Sequence, residues 1–176
     1  MPTIITTERL LLREMLMSDL EDMYEMDSDP EVCKYLCVDP LQNIRQMKEK
    51  IQKILGQQKE YGMERWVVED RQSHELIGCS GLTLEVDSRN FDTPFYELGF
   101  RFKRDYWGLG YASEAAGACI DHGLNNLKVN TIFAVVDQRN SASIRVLEKI
   151  GMKPIRDLIY HGVPHHRYSI NAREVV

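Results

Sequence analysis

The stretch FYELGFRFKRDYWGLGYASEAAGAC, residues 95–119, constrains the fold more than any other part of the chain. Its first half, through Trp107, reads as one long strand, with apolar residues recurring at short intervals. Two glycines then stand two apart, Gly108 and Gly110, and small residues follow at Ala112, Ala115, Ala116 and Ala118. Glycine tolerates positive φ and lets another group approach the backbone. A strand, a Gly-rich turn and a helix in direct succession leave free N–H groups at the positive end of a helix dipole. Such a junction is either a plain turn or a cradle for a phosphorylated ligand. It is not the dinucleotide fingerprint, because Ser113 stands where a third glycine belongs, and it is not a P-loop, because no Gly-Lys-Ser/Thr follows.

The flanking sequence predicts a mixed order. ERLLLREM (Glu8–Met15) reads as a first strand, and Ser18 with Glu21 has the spacing of a capping box that opens a helix through SDLEDMYEM. Asp29-Pro30-Glu31 marks a second short helix. Ile44, Met47, Ile51, Ile54 and Leu55 recur at helical spacing. Then the period changes. ERWVVED and HELIGCSGLTLEV read as strands turning at Arg71–Ser73. YASEAAGACIDHGLNNLK is a helix of about 17 residues by its pattern, ending near Asn125–Lys128. TIFAVVD is a strand, and NSASIRVLEKIG is a helix capped by Asn140 and stopped by Gly151. MKPIRDLIY and HHRYSI close the chain as a pair of strands turning at His161–Pro164. The order β–α–α–β–β–β–α–β–α–β–β implies α+β, a mixed sheet with helices packed on it.

Composition removes several classes. With 176 residues and no linker, repeat or low-complexity segment, one domain with one sizeable core is expected. A net charge of −5 argues against nucleic acid as the main partner. No apolar run reaches the roughly 18 residues of a membrane span, so no membrane partner is expected. Cys33, Cys37, Cys79 and Cys119 form no CxxC and stand beside no histidine pair at zinc spacing, so free thiols and no metal are expected. The opening MPTIITTERLLL lacks the basic start and long apolar run of a secretory leader, and the expected compartment is the cytoplasm.

A second motif, NSASIRVLEKIGM (Asn140–Met152), follows the glycine turn about 30 residues downstream. Alone, Asn140 is a helix cap and Ser143 a first-turn serine. Taken together, TERLLLREM, YWGLGYASEA and NSASIRVLEKIGM resemble the GNAT superfamily of acetyl-CoA-dependent N-acetyltransferases. Within it they resemble the branch of the ribosomal-protein N-terminal (alanine) acetyltransferases. The likeness spans about Thr7 to Ile170. It implies a single domain over 1–176, with a mostly antiparallel sheet of six to seven strands, helices on both faces and a splay between the fourth and fifth strands.

The resemblance implies acetyl-CoA as co-substrate. The pyrophosphate of coenzyme A would meet the amides of Trp107, Gly108, Leu109, Gly110, Tyr111 and Ala112. The main chain at Phe100 and Phe102 would hold the pantetheine arm, and Asn140 would contact it. Two positions depart from the pattern. Asp105 stands where a Gln or Arg often precedes the glycines, and a carboxylate there must point away from a pyrophosphate. Leu147 stands where many members carry a tyrosine general acid, so that role falls elsewhere or is unfilled.

Acetyl transfer to an amine needs a neutral nucleophile, a donor for the developing oxyanion and a proton source for the thiolate. Glu97 is the candidate base: it shares a strand face with Gly99, which leaves it space, and a partly buried carboxyl has a raised pKa. In the family a carboxylate on this strand often has that role. Ser143 is the candidate partner of the thiolate, and an N–H of Phe100–Phe102 the oxyanion donor. Arg139, Arg145 and Lys149 are either 3′-phosphate ligands or a solvated face. His165 and His166 read as hairpin surface, Trp66 and Cys119 as core. The acceptor is a protein N-terminus or a small amine, and assembly stays open between a monomer and a homodimer. The rivals are a non-catalytic acyl-CoA-binding or sensor module and, more remotely, a nucleotide-binding structural protein.

Overall fold

The computed structural model describes residues 4–61, 64–88 and 91–172. In chain order its elements are β1 (Ile5–Thr6), β2 (Leu10–Glu14), α1 (Leu20–Asp27), α2 (Pro30–Cys33) and α3 (Ile44–Tyr61), then β3 (Glu64–Asp70), β4 (Leu76–Glu85) and β5 (Phe95–Phe102). The second half adds α4 (Tyr111–Asp121), β6 (Thr131–Asp137), α5 (Ser141–Lys149), β7 (Lys153–Tyr160) and β8 (Val163–Asn171). All strands join one sheet in the order β1-β2-β3-β4-β5-β6-β8-β7. The sheet has eight strands, against the six to seven expected. The addition is the two-residue β1, which pairs with β2 through Ile5 and Leu12 and is too short to show a period.

Every neighbouring pair is antiparallel except β5 with β6. That parallel pair is registered only at Tyr96–Ile132 and Glu97–Phe133. Beyond it, β5 stays with β4 as far as Phe102–Gly78, and β6 stays with β8 as far as Asp137–His165. The two halves of the sheet therefore part at residues 97 and 133. This is the splay expected between the fourth and fifth strands when strands are counted from Glu8.

Both faces of the sheet are covered. α4 and α5 lie over Leu10, Leu12, Trp66, Val68, Ile77 and Ile132, while α1 and α3 cover Met15, Val67, Leu76 and Cys79 on the other face. A strand covered on both faces reads as a continuous apolar run, which is why ERWVVED shows little alternation. On α3, Met47, Ile51 and Ile54 are buried, but Ile44, at its first residue, is 43% exposed and not part of the stripe.

Local chemistry moves several boundaries. Ser18 does not cap the first helix. Asp19 accepts from the Leu16 N–H (2.7 Å) and from both terminal nitrogens of Arg13, and a 3₁₀ turn, Met17–Asp19, precedes α1. A carboxylate paired with a guanidinium outcompetes a neighbouring hydroxyl. β5 stops at Phe102 and Arg104–Tyr106 form a 3₁₀ turn, so the long strand expected through Trp107 is shorter. α4 runs on into a π turn at His122–Asn126. The β7–β8 turn is His161-Gly162, both at positive φ, and Val163 and Pro164 already belong to β8. Among the described residues no helix is long and apolar enough to cross a membrane.

Candidate active site

Gly108 (φ +74°) and Gly110 (φ +83°) both use the left-handed region, and Gly110 is the N-cap of α4. The first bond of α4 runs from Glu114 N–H to Gly110 C=O (3.1 Å). The amides of Tyr111, Ala112 and Ser113 therefore have no partner inside the helix. They border a cavity of about 530 Å³ whose wall also includes Trp107, Gly108, Gly110 and the start of α5. A Cβ on Gly108 would meet nothing within 4 Å, so the cavity is open beside it. Arg145 and Lys149 flank the same space, whereas Arg139 is engaged by Asp137 (2.7 Å). Free amides at a helix N-terminus, glycines without side chains and two flanking cations fit an oligophosphate. Asp105 is exposed and lies outside this wall. Leu109 also lies outside it, with its side chain in solvent and its carbonyl accepting from Arg9 Nη1 (2.9 Å).

The loop is held from the other end of the chain. Glu114, one turn into α4, accepts from Thr7 Oγ1 (2.6 Å), the Arg9 N–H (2.8 Å) and Arg9 Nε (2.7 Å). The Arg9 guanidinium also lies 4.3 Å from the centre of the Tyr111 ring. Thr7-Glu8-Arg9 thus clamps the helix start and the glycine turn together, which gives TERL a physical task.

A second cavity of about 550 Å³ lies on the α1/α3 face and meets the first where β5 and β6 part. Tyr35, Leu36, Phe100, Arg101, Asn140 and Ser143 line both. Lys103 N–H donates to Ile77 C=O, and antiparallel alternation then turns the main-chain groups of Phe100 and Phe102 away from β4. Those groups face the gap. The Phe102 carbonyl is taken by the Trp107 indole N–H (2.8 Å). Asn140 caps α5 by accepting from the Ser143 N–H (3.1 Å), so the cap uses the main chain of Ser143 and not its hydroxyl. Leu147 is buried in the core.

Glu97 stands on the second cavity's wall, opposite Thr83 and two residues from Gly99, where an added Cβ would meet nothing within 4 Å. Burial pushes its carboxyl up to about 7, with Glu85 adding to the rise and Arg167 and Arg65 opposing it. Asp27, on the same wall, goes the other way: burial acts to raise it, but Arg101 and Lys50 outweigh burial and hold it below the usual carboxylate value. The two carboxyls therefore differ in kind, Asp27 an ion held by two cations and Glu97 a group poised near neutrality.

Several lining residues escaped the sequence reading. His165 is buried, with Nδ1 2.8 Å from Val163 C=O and Nε2 3.8 Å from Cys37 Sγ, and it lines the second cavity. Only His166, paired with Asp157 (2.6 Å), is the hairpin-surface histidine expected of both. The difference is pleat parity, since His165 faces inward and its neighbour cannot. Tyr160 lines the cavity from β7, with burial and then Glu97 raising its pKa. Tyr35 comes from the segment after α2 and Arg65 from β3. Nothing local in the sequence marks either. Among the described residues no three His, Cys, Asp or Glu side chains cluster as metal ligands would.

A family model for the acetyltransferase (GNAT) domain matches residues 9–153. The chain belongs to the GNAT acetyltransferases. It is 36% identical to the uncharacterized protein YkkB of Bacillus subtilis over 151 residues, 85% of each chain. A GNAT-family acetyltransferase structure from Bacillus anthracis superposes with a TM-score of 0.83 at 29% identity, over 97% of this chain and 99% of that one. The spermidine N-acetyltransferase of Vibrio cholerae, solved with CoA and spermine, gives a TM-score of 0.80 at 19% identity over 96% and 98%. That last likeness carries the fold alone.

Proposed function

We propose that this acetyltransferase moves the acetyl group of acetyl-CoA onto a primary amine by direct attack in a ternary complex, within one unit spanning 1–176. The observation that carries the reading is Glu97, a carboxyl near pKa 7 on a cavity that joins the glycine-loop cavity through the splayed strands. The Trp107 N–H is already given to Arg104 C=O (3.1 Å), so the loop amides from Gly108 to Ala112, with the cations Arg145 and Lys149, would hold the pyrophosphate and phosphate of CoA. The main chain of Phe100 and the side chain of Asn140 would hold its arm. The acceptor amine would come from the α1/α3 side. Glu97 takes its proton, directly or through water, and a carboxylate of pKa about 7 is matched to that task at neutral pH. The Phe100 N–H donates to the developing oxyanion, and the Ser143 hydroxyl donates to the departing thiolate. Water exclusion comes from the apolar walls at Leu36 and Phe100.

The resemblance to the ribosomal-protein branch rests on three motifs, and only the last reaches the acceptor side, through Asn140 and Ser143, which also line the donor cavity, and the core residue Leu147. Those motifs therefore do not choose between a protein N-terminus and a small amine. A second reading, an acyl-CoA-binding module without turnover, is favoured by Leu147, which fills with core the place of the tyrosine acid. Thiol release from acetyl-CoA across a panel of amines and short peptides separates the two. Release supports transfer. Tight binding of acetyl-CoA with no release from any acceptor selects the module, and no binding at all sinks both.

A further inference from the structure

One row across the sheet differs from those around it. Arg65 on β3 stands opposite Gly81 on β4, and Gly81 opposite Gly99 on β5. A guanidinium is thus followed by two residues without side chains, and all three line the acceptor-side cavity. The bare strip spans two strand spacings, roughly 10 Å between backbones, from Arg65 toward the gap between β5 and β6. Glu97 lies two residues along β5, on the same face.

The charges on this wall are unevenly matched. Lys50 and Arg101 both pair with Asp27. Arg65 donates through Nε to Thr83 Oγ1 (3.1 Å), which fixes its plane, and among the described residues no carboxylate lies within ion-pair distance of it. Burial, and then the nearby Arg101, press its pKa below the ordinary value. Glu85 and Glu97 act on it only from beyond ion-pair distance, and a partly buried cation with no anion in contact is costly for the protein, a cost that falls when a ligand supplies one. A guanidinium fork fits a carboxylate with two parallel hydrogen bonds, and it repels a polycation.

We infer that the acceptor is an amine that also carries a carboxylate, an amino acid or a compound built like one. Its carboxylate pairs with Arg65, its chain crosses the strip over Gly81 and Gly99, and its amine reaches Glu97. The inference rests on the acetyltransferase reading and narrows it.

The test compares kcat/KM, by thiol release, for matched pairs: α-, γ- and ω-amino acids against their primary amides, with spermidine alongside. Wild type, Arg65→Met and Arg65→Lys are assayed, with thermal melts for each. A charge-assisted pair should favour the acid over its amide by about 10- to 100-fold in wild type. The ratio should fall toward one in Arg65→Met and take an intermediate value in Arg65→Lys. If Arg65→Met melts, a fall in the ratio for folded Arg65→Lys still carries the inference. The N-acetylated amino acid should compete with the amine in wild type and lose that ability in the variant. A wild type that prefers amides or spermidine, or an acid preference that survives in the folded variants, overturns the inference and leaves the acetyltransferase reading standing. No thiol release with acids, amides or spermidine defeats both.

Discussion

Replacing Glu97 by glutamine should move stability and activity in opposite directions. In the folded chain this carboxyl titrates near 7, against an ordinary 4.5. Between those values the folded state keeps a proton that the unfolded chain has lost. Stability therefore falls as pH rises through this window, and the favourable contribution is fully present only below pH 4.5. At 1.36 kcal/mol per pH unit, the difference between 4.5 and about 7 corresponds to a loss of about 3 kcal/mol by pH 8. Glutamine cannot ionise and imitates the protonated form. Glu97→Gln should therefore melt about 5–10 °C above wild type at pH 8 and nearly level with it at pH 4.5.

Activity should change the other way. Without its base the variant should lose about 100-fold in kcat at pH 8. The pH dependence of kcat/KM is sharper still, because it reports the free enzyme and free amine. Below pH 7 wild type should lose about tenfold per unit from Glu97 and another tenfold from the amine, a logarithmic slope of about two. The variant should keep only the amine's slope of about one. Differential scanning fluorimetry and a thiol-release assay over pH 5–9 suffice. A variant that retains the slope of two, or works within threefold of wild type, or melts below wild type at pH 8, refutes the reasoning.

Ser143→Ala should lower kcat without lowering Tm, since the α5 cap uses the Ser143 N–H and alanine is the better helix former. A donor with a more acidic leaving thiol should restore part of the loss, and equal defects with both donors would point to a misplaced cofactor. Gly108→Val puts a β-branched residue at φ +74° and its methyls into the open cavity. The strain costs about 1–2 kcal/mol, and titration calorimetry should find acetyl-CoA binding at least about tenfold weaker in a folded protein; unchanged affinity would remove the phosphate-cradle reading. Glu114→Gln keeps the shape of the clamp and removes its charge, so KM for acetyl-CoA should rise several-fold while KM for the amine moves less. An equal rise in both would mean that the clamp supports the fold and not the loop.

The architecture and the glycine turn were legible because their signals are local. Gly108 and Gly110 announce positive φ, Asn140 announces a cap three residues before the amide it serves, and Met47, Ile51 and Ile54 announce a buried helix face. The corrections come from competition between neighbours. Ser18 met the spacing rule for a cap, but Arg13, reaching over from β2, made Asp19 the stronger acceptor. His165 and His166 looked alike in sequence and were divided by the pleat.

The wall of the second cavity was illegible for a different reason. Its wall draws Tyr35 from the segment after α2, Arg65 from β3, Glu97 from β5 and His165 from β8. Residues so far apart share no spacing rule; only the register of the sheet sets Arg65 beside Gly81 and Gly99. Glu97 could be picked from its own strand, but its pKa could not, because burial and Glu85 raise it while Arg65 and Arg167 restrain it, and all three charged neighbours lie on other strands or loops. The same dispersion separates two parts of the site physically. The clamp of Thr7, Arg9 and Glu114 fixes the glycine turn without touching the wall of the second cavity. Substitutions at Arg65, which lines the second cavity and not the first, can therefore reshape that wall while the geometry of the glycine loop stays in place.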